Sequence, residues 1–301
     1  MANDEVNPPS DFLLIDKINQ CPKLASLRSI NDTLKGLLES EDSFLAQIAE
    51  VIRLDPSLTT RVLDLVNSIF FGSKDNKRIS GVEEASIFLG LNRIRELLVT
   101  TPVIEEIYEL GKNSSSFPWE SFWKHSIGTA ILTRELLTLL EHNFEEEADY
   151  VAGLLHNLGI LIMAITFPDR FQSIYSEQYS DALELLESEK KHMGWDHAKI
   201  GAYYLWNHHI SDEVVDAIHW HNEPALAKEN QQLAAAIQVS DQIVIELGFG
   251  GLSKFISTQA GTYKKLAGWA ILMDGVEDIE SVEAKLDDSA QRVMQSLNGI
   301  F

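Results

Sequence analysis

The sequence predicts an all-α protein, a multi-helix bundle with a helical subdomain at its N-terminal end. Two observations predict it. Apolar residues recur at three- and four-residue spacing along nearly the whole chain, with cap and stop residues between those stretches. No alternating apolar and polar run bounded by hairpin residues interrupts them.

Taken in order, residues 1–11 contain Pro8 and Pro9 among polar neighbours and read as a flexible lead-in, so the fold is expected to begin near Phe12. From Ser43 to Leu54 the positions Phe44, Leu45, Ile48, Val51 and Ile52 share one helical face, with Asp42 as a cap. Asp55-Pro56 starts the next helix, because Asp caps exposed N–H groups and Pro fits a first helical turn; Leu58, Val62, Leu63, Val66 and Ile69 follow. Ser80 and Glu83 have capping-box spacing ahead of a short helix that ends at Gly90, and a longer helix is expected from Asn92 to Leu110.

Gly111, Ser114, Ser115, Ser116 and Pro118 then break the composition, which divides an N-terminal subdomain (12–113) from a second helical subdomain (114–250). Within the second, helices are expected over Trp119 to Leu140, Glu146 to Ala164, 182–191, 196–208, 211–221 and 230–247. A C-terminal extension (251–301) carries the stripe Ile279, Val282, Leu286, Ala290, Val293 and Leu297, expected to pack back on the body.

A chain of 301 residues, 45% of them hydrophobic, can bury a substantial core. Cys21 is the single cysteine, which excludes an intramolecular disulfide and a cysteine-rich zinc cluster and suits a reducing compartment, the cytoplasm being the simplest. The first residues include Asp4 and Glu5 and lack the apolar core of a secretory leader. No stretch reads as long enough to cross a bilayer: the most apolar run, Gly153 to Ile165, contains His156 and Asn157 and reads as a buried helix. A net charge of −22, spread along the chain, disfavours nucleic acid and anionic membrane as partners and is explained by solubility. Phe117, Trp119, Phe122 and Trp123 fall at helical spacing and are assigned to the core before any partner groove.

The chemistry-bearing residues are His125, His156 with Asn157, His197, His221 and Asp241, all in the second half. A single histidine on a helix is ordinarily packed or solvated, but neutral imidazoles and a carboxylate in this order suit a divalent cation held inside a bundle.

The order His125, then His156-Asn157, then Asp241 resembles the HD superfamily of helical metal-dependent phosphohydrolases, with Asn157 where that family has the aspartate of its name. A closer resemblance lies in Leu54-Asp55-Pro56-Ser57-Leu58, Val66-Asn67-Ser68, Ala85-Ser86-Ile87-Phe88-Leu89-Gly90, Leu154 to Gly159, Asp196-His197-Ala198-Lys199-Ile200-Gly201 and His219-Trp220-His221-Asn222-Glu223-Pro224. Together these are similar to the HDOD domain, the HD-related output domain of bacterial signalling proteins, over about Ile15 to Gly248. The resemblance implies an all-helical fold and a regulatory or binding role. It also implies that the ligands which related HD-GYP phosphodiesterases carry match His197 and, in place of a His-His pair, His221-Asn222; Ser121 stands where some of them have a carboxylate one turn before His125.

The expected function is therefore a non-catalytic regulatory module with a vestigial metal site at His125, His156, Asp241, His197 and His221, requiring no cofactor but able to hold one divalent ion such as Zn, Ni, Fe or Mn. Its expected partners are signalling proteins acting in trans, or a small-molecule ligand. The alternative is a divergent metal-dependent phosphohydrolase acting on a nucleotide or cyclic dinucleotide. A third reading makes the same residues core polar groups that satisfy one another.

Overall fold

The computed structural model describes residues 7–21, 28–40, 44–70, 78–99, 117–142, 147–252, 255 and 259–300. Among these the protein is all-α, as expected, without a strand; Tyr179 and Phe255 form one isolated parallel bridge. The N-terminal helices are α1 (Asp11–Asn19), α2 (Arg28–Glu39), α3 (Leu45–Arg53), α4 (Pro56–Phe70) and α5 (Val82–Val99). The second group comprises α6 (Trp119–Leu139), α7 (Ala148–Leu155), α8 (Leu158–Thr166), α9 (Pro168–Tyr175), α10 (Ala182–Met193), α11 (His197–Asn207), α12 (Asp212–Trp220) and α13 (Gln231–Glu246). The extension contributes α14 (Ala267–Leu272) and α15 (Ile279–Ile300).

Local chemistry explains the N-terminal motifs. Asp55 Oδ1 accepts the N–H groups of Ser57 (2.8 Å) and Leu58 (3.1 Å), which caps α4 as the Asp-Pro pair predicts. Asn67 is buried near the end of α4, and its amide closes two bonds with the backbone of Ile79, donating to the carbonyl and accepting from the N–H, both at 2.8 Å. At the start of α5 the Val82 N–H donates to Glu147 (3.1 Å), and Glu83 reaches Arg53 at 3.4 Å. Gly90 does break the helical path, with φ 69° and ψ 166°, but α5 resumes at once. The expected cap Asp42, and residues 100–116 with the expected helix end and subdomain boundary, lie outside the described residues.

The long helix α6 forms the axis of the second group, with α7, α13 and α15 packed against it. The aromatic residues at and just before its start are core: Phe117, Trp119, Phe122 and Trp123 are buried, with neighbouring ring centroids 4.6–5.4 Å apart. The extension packs back through Leu286, Ala290, Val293 and Leu297, which are buried, while Val282 is half-buried and Ile279, at the start of the expected stripe, is exposed.

Two expectations are corrected. The single helix expected from Glu146 to Ala164 is two helices, α7 and α8, which part at His156 and Asn157. The apolar pattern runs unbroken across this corner, so periodicity could not show it. The stretch Ala148–Thr166 also has the length and mean hydropathy (1.5) of a bilayer span, although the sequence reading found none. That stretch is 89% buried inside the protein and is its core.

Candidate metal and ligand pocket

The corner between α7 and α8 puts His156 and Asn157 into the interior, opposite His125 on α6 and Asp241 on α13. His156, the C-cap of α7, donates from Nδ1 to the Gly153 carbonyl (2.7 Å). His125 does the same toward the carbonyl of Phe249 (2.8 Å), and His221, the C-cap of α12, toward that of Ile218 (2.7 Å). A carbonyl only accepts, so each of these Nδ1 atoms carries hydrogen, and in the neutral ring each Nε2 is left with a lone pair.

Those lone pairs converge. His125 Nε2 lies 3.3 Å from His156 Nε2 and 2.9 Å from Asp241 Oδ1, and His156 Nε2 is 3.5 Å from the same oxygen. His125, His156 and Asp241 each offer one ligand atom, all within 4.8 Å of one another. His221 is adjacent, its ring centroid 5.4 Å from that of His156, and His197 follows at 5.6 Å from His221. The structure thus brings together His125, His156 and Asp241 with Asn157, while His221 and His197 line the same interior without joining the converging ligand atoms. Ser121, by contrast, is exposed.

Electrostatics follow from burial. Burial, reinforced by the charges of His156 and His197, pushes the His221 pKa down to about 3. Burial also lowers His156, against the opposing pull of Asp241. For Asp241 burial would raise the pKa, but once His125 or His156 carries a proton on Nε2 its hydrogen bond and charge outweigh burial and hold the carboxyl well below the usual range. His197 is buried too, yet Glu189 overcomes the desolvation and raises its pKa. Glu189 is fully buried and accepts from His197 Nδ1 (2.8 Å), from the His197 backbone N–H (2.8 Å) and from the Tyr175 hydroxyl (2.5 Å).

The donor set suits one cation. Asp241 Oδ1 is a buried carboxylate oxygen without an aligned donor, although two imidazole nitrogens stand near it, and a cation among these atoms would satisfy it. The backbone carbonyls that hold His125 and His156 fix those rings in the orientation a metal ligand needs. Asp241 is the one carboxylate among the converging ligand atoms, and Asn157 beside them offers a neutral amide. That amide donates from Nδ2 to His125 Nε2 (3.1 Å), and Asn222 Nδ2 donates to His221 Nε2 (2.9 Å).

Sequence reasoning missed Glu189, Tyr175 and the Phe249 carbonyl. Glu189 was detectable: it falls on the stripe Leu185, Leu186, Glu189, Met193, where a carboxylate among buried apolar residues needs a partner. The Phe249 carbonyl follows α13 and has no side-chain signature.

Comparison with known proteins supports the same family on independent grounds. A relative from Treponema pallidum (strain Nichols), described as an uncharacterized protein, is 25% identical over 238 residues, 77% of this chain. The chain spans 43% of that relative's length. Among solved structures, the MmoQ response regulator of Methylococcus capsulatus superposes with a TM-score of 0.63 at 19% identity, covering 84% of this chain and 98% of that one. An HDOD domain protein of unknown function from Geobacter sulfurreducens gives 0.57 at 21% identity (96% and 97%), and a Campylobacter jejuni virulence factor 0.66 at 18% (93% and 99%). At these identities the structures establish a shared fold. The HDOD domain profile matches residues 24–224, two thirds of the sequence, and the chain belongs to the HDOD domain family.

Proposed function

We propose that this chain is a non-catalytic regulatory module of the HDOD type, whose helical pocket binds rather than hydrolyses. The observation that carries this reading is charge: Asp241 is the one carboxylate among the converging ligand atoms, and Asn157 stands in the place of a second. A neutral amide cannot bridge two cations, and hydrolysis by a two-metal clamp depends on that bridge. His125, His156 and Asp241 would hold one divalent ion of the Zn, Ni, Fe or Mn class, and a bound ion would supply Lewis-acid polarisation. The protein's own residues orient the imidazoles and keep water out.

A signalling role is supported by family membership and by the response-regulator description of the Methylococcus neighbour. In this reading partners act in trans in the cytoplasm, and the exposed acidic face of α15, with Glu280, Asp287 and Asp288, offers them a docking surface.

The test is hydrolysis of cyclic dinucleotides and nucleotides by the full chain with Zn, Ni, Fe and Mn, beside the variant Asn157→Asp. The wild type should show no turnover, while the variant should bind metal more tightly and gain weak phosphodiesterase activity. Metal-dependent turnover by the wild type would overturn the reading.

A further inference from the structure

We infer that the C-terminal extension is a part of the pocket: Gln238 and Glu246 fasten it to α13 on either side of Asp241, and in that position it supports His125, so that docking of the extension and occupation of the pocket by a cation strengthen each other. The inference rests on the one-cation pocket of the regulatory reading, but it stands or falls on cation affinity and amide exchange, whereas that reading stands or falls on turnover.

The fastenings are side chains of α13 that bond the backbone of the extension. Gln238, one turn before Asp241, accepts the Gly268 N–H at 2.8 Å and donates to the Asn222 carbonyl at 2.8 Å, which ties α14 to the turn that follows His221. A Cβ on Gly268 would stand 2.7 Å from the Ala235 carbonyl oxygen, so α14 crosses α13 at backbone distance. Glu246, at the end of α13, accepts the N–H groups of Gly261 (2.7 Å) and Tyr263 (3.0 Å). Gln238 and Glu246 are positioning residues and offer no atom to the converging ligands.

The chain that leaves α13 reaches His125 before it returns to Glu246. The Phe249 carbonyl lies 2.8 Å from His125 Nδ1, and a Cβ on Gly251, whose φ is 60°, would stand 3.2 Å from His125 Cγ. The Gly251 backbone therefore lies beside the ring. One turn along α6 from His125, a Cβ on Gly128 would come within 3.0 Å of Leu297 Cδ1, so α15 closes on the same helix where it is narrowest. A cation needs the His125 ring in one orientation, and these contacts restrict it to that orientation. Two events that favour the same arrangement are coupled, and the coupling acts equally in both directions.

The experiment compares full-length wild type with Glu246→Ala, which loses the clasp on Gly261 and Tyr263 and keeps every candidate ligand. Zn²⁺ affinity is measured by calorimetry, counting only the binding that Asp241→Asn removes, and amide exchange is followed by mass spectrometry with and without Zn²⁺. Binding should weaken about tenfold in Glu246→Ala, the scale seen when a group that orients a metal ligand is lost. In the wild type, Zn²⁺ should slow exchange in peptides covering Gly261, Tyr263 and Gly268 more than in α3 and α4 of the N-terminal group, and this excess should shrink in Glu246→Ala. A clasp that only stabilises the fold would lower the melting temperature of the variant and leave both Zn²⁺ readouts as in the wild type, which would overturn the inference. Gln238→Ala, which unties Gly268 instead, supplies the same comparison if Glu246→Ala does not fold. Failure of the wild type to bind Zn²⁺ at Asp241 would overturn the inference as well, and turnover would still decide the regulatory reading.

Discussion

Gly159 and His197 meet backbone to backbone: a Cβ built on Gly159 would stand 1.9 Å from the His197 carbonyl oxygen. Gly201, one turn along α11, faces the same crossing, and a Cβ there would come within 3.0 Å of the Gly159 nitrogen. The two glycines let α8 and α11 approach at backbone distance, which sets His197 beside the pocket that His156 and Asn157 enter from the start of α8.

Gly159→Ala should therefore be among the most damaging single changes in the protein. The added methyl meets main chain, which cannot rotate away, so the helices must separate. A loss of about 3 kcal/mol or more is expected from overpacking of this kind. Urea denaturation followed by circular dichroism measures it, and a variant within about 0.5 kcal/mol of wild type would show that the crossing is looser than described.

The Asn67 amide predicts a second effect at a distance from the pocket. It completes the backbone of Ile79 with one donated and one accepted bond. Asn67→Ala leaves a buried N–H and a buried carbonyl unpaired, at a cost of about 2–4 kcal/mol for the two. Asn67→Asp keeps the accepting oxygen and loses the donor, and it adds a buried charge, so it should be no better than alanine. An aspartate variant as stable as wild type in thermal melts would contradict the pairing.

Much of this was legible in the sequence, for identifiable reasons. The helices that carry His125, His197 and Asp241, and the one that His221 ends, are apolar-rich runs set between cap residues, and the cap at Asp55 is a local property of the chain. The order of ligand residues was readable because a motif is linear. The corner at His156-Asn157 was hidden by apolar residues on both sides of it, and α9 by its short length. The role of the Phe249 carbonyl depends on a bond made across the fold, which spacing does not encode. Glu189 falls between these cases: its pattern shows that it is buried, and only the fold shows that His197 and Tyr175 are the reason.

Acid should reveal the buried state of His221. Its pKa is about 3 in the folded protein because burial and the neighbouring imidazoles disfavour the charged ring, against about 6.5 for an unfolded histidine. Between these values the unfolded chain binds a proton that the folded protein does not, so stability falls as pH drops from about 6.5 toward 3 and is independent of this group above that window. His197 works in the opposite sense. Its raised pKa gives stability that is present below the unfolded value and lost as pH rises through the folded one. Asp241 contributes stability that is fully present above the unfolded carboxylate value and is lost only at the acid extreme, since its folded pKa is held so low. In His221→Gln the first effect disappears and the others remain. With chelator present, the slope of unfolding free energy against pH between pH 6 and 4 should become shallower by up to one proton, about 1.4 kcal/mol per pH unit. Equal slopes in wild type and variant would mean that the folded ring takes up its proton as readily as the unfolded one, and the neutral acceptor at His221 Nε2 would then be lost as an explanation for its bond to Asn222.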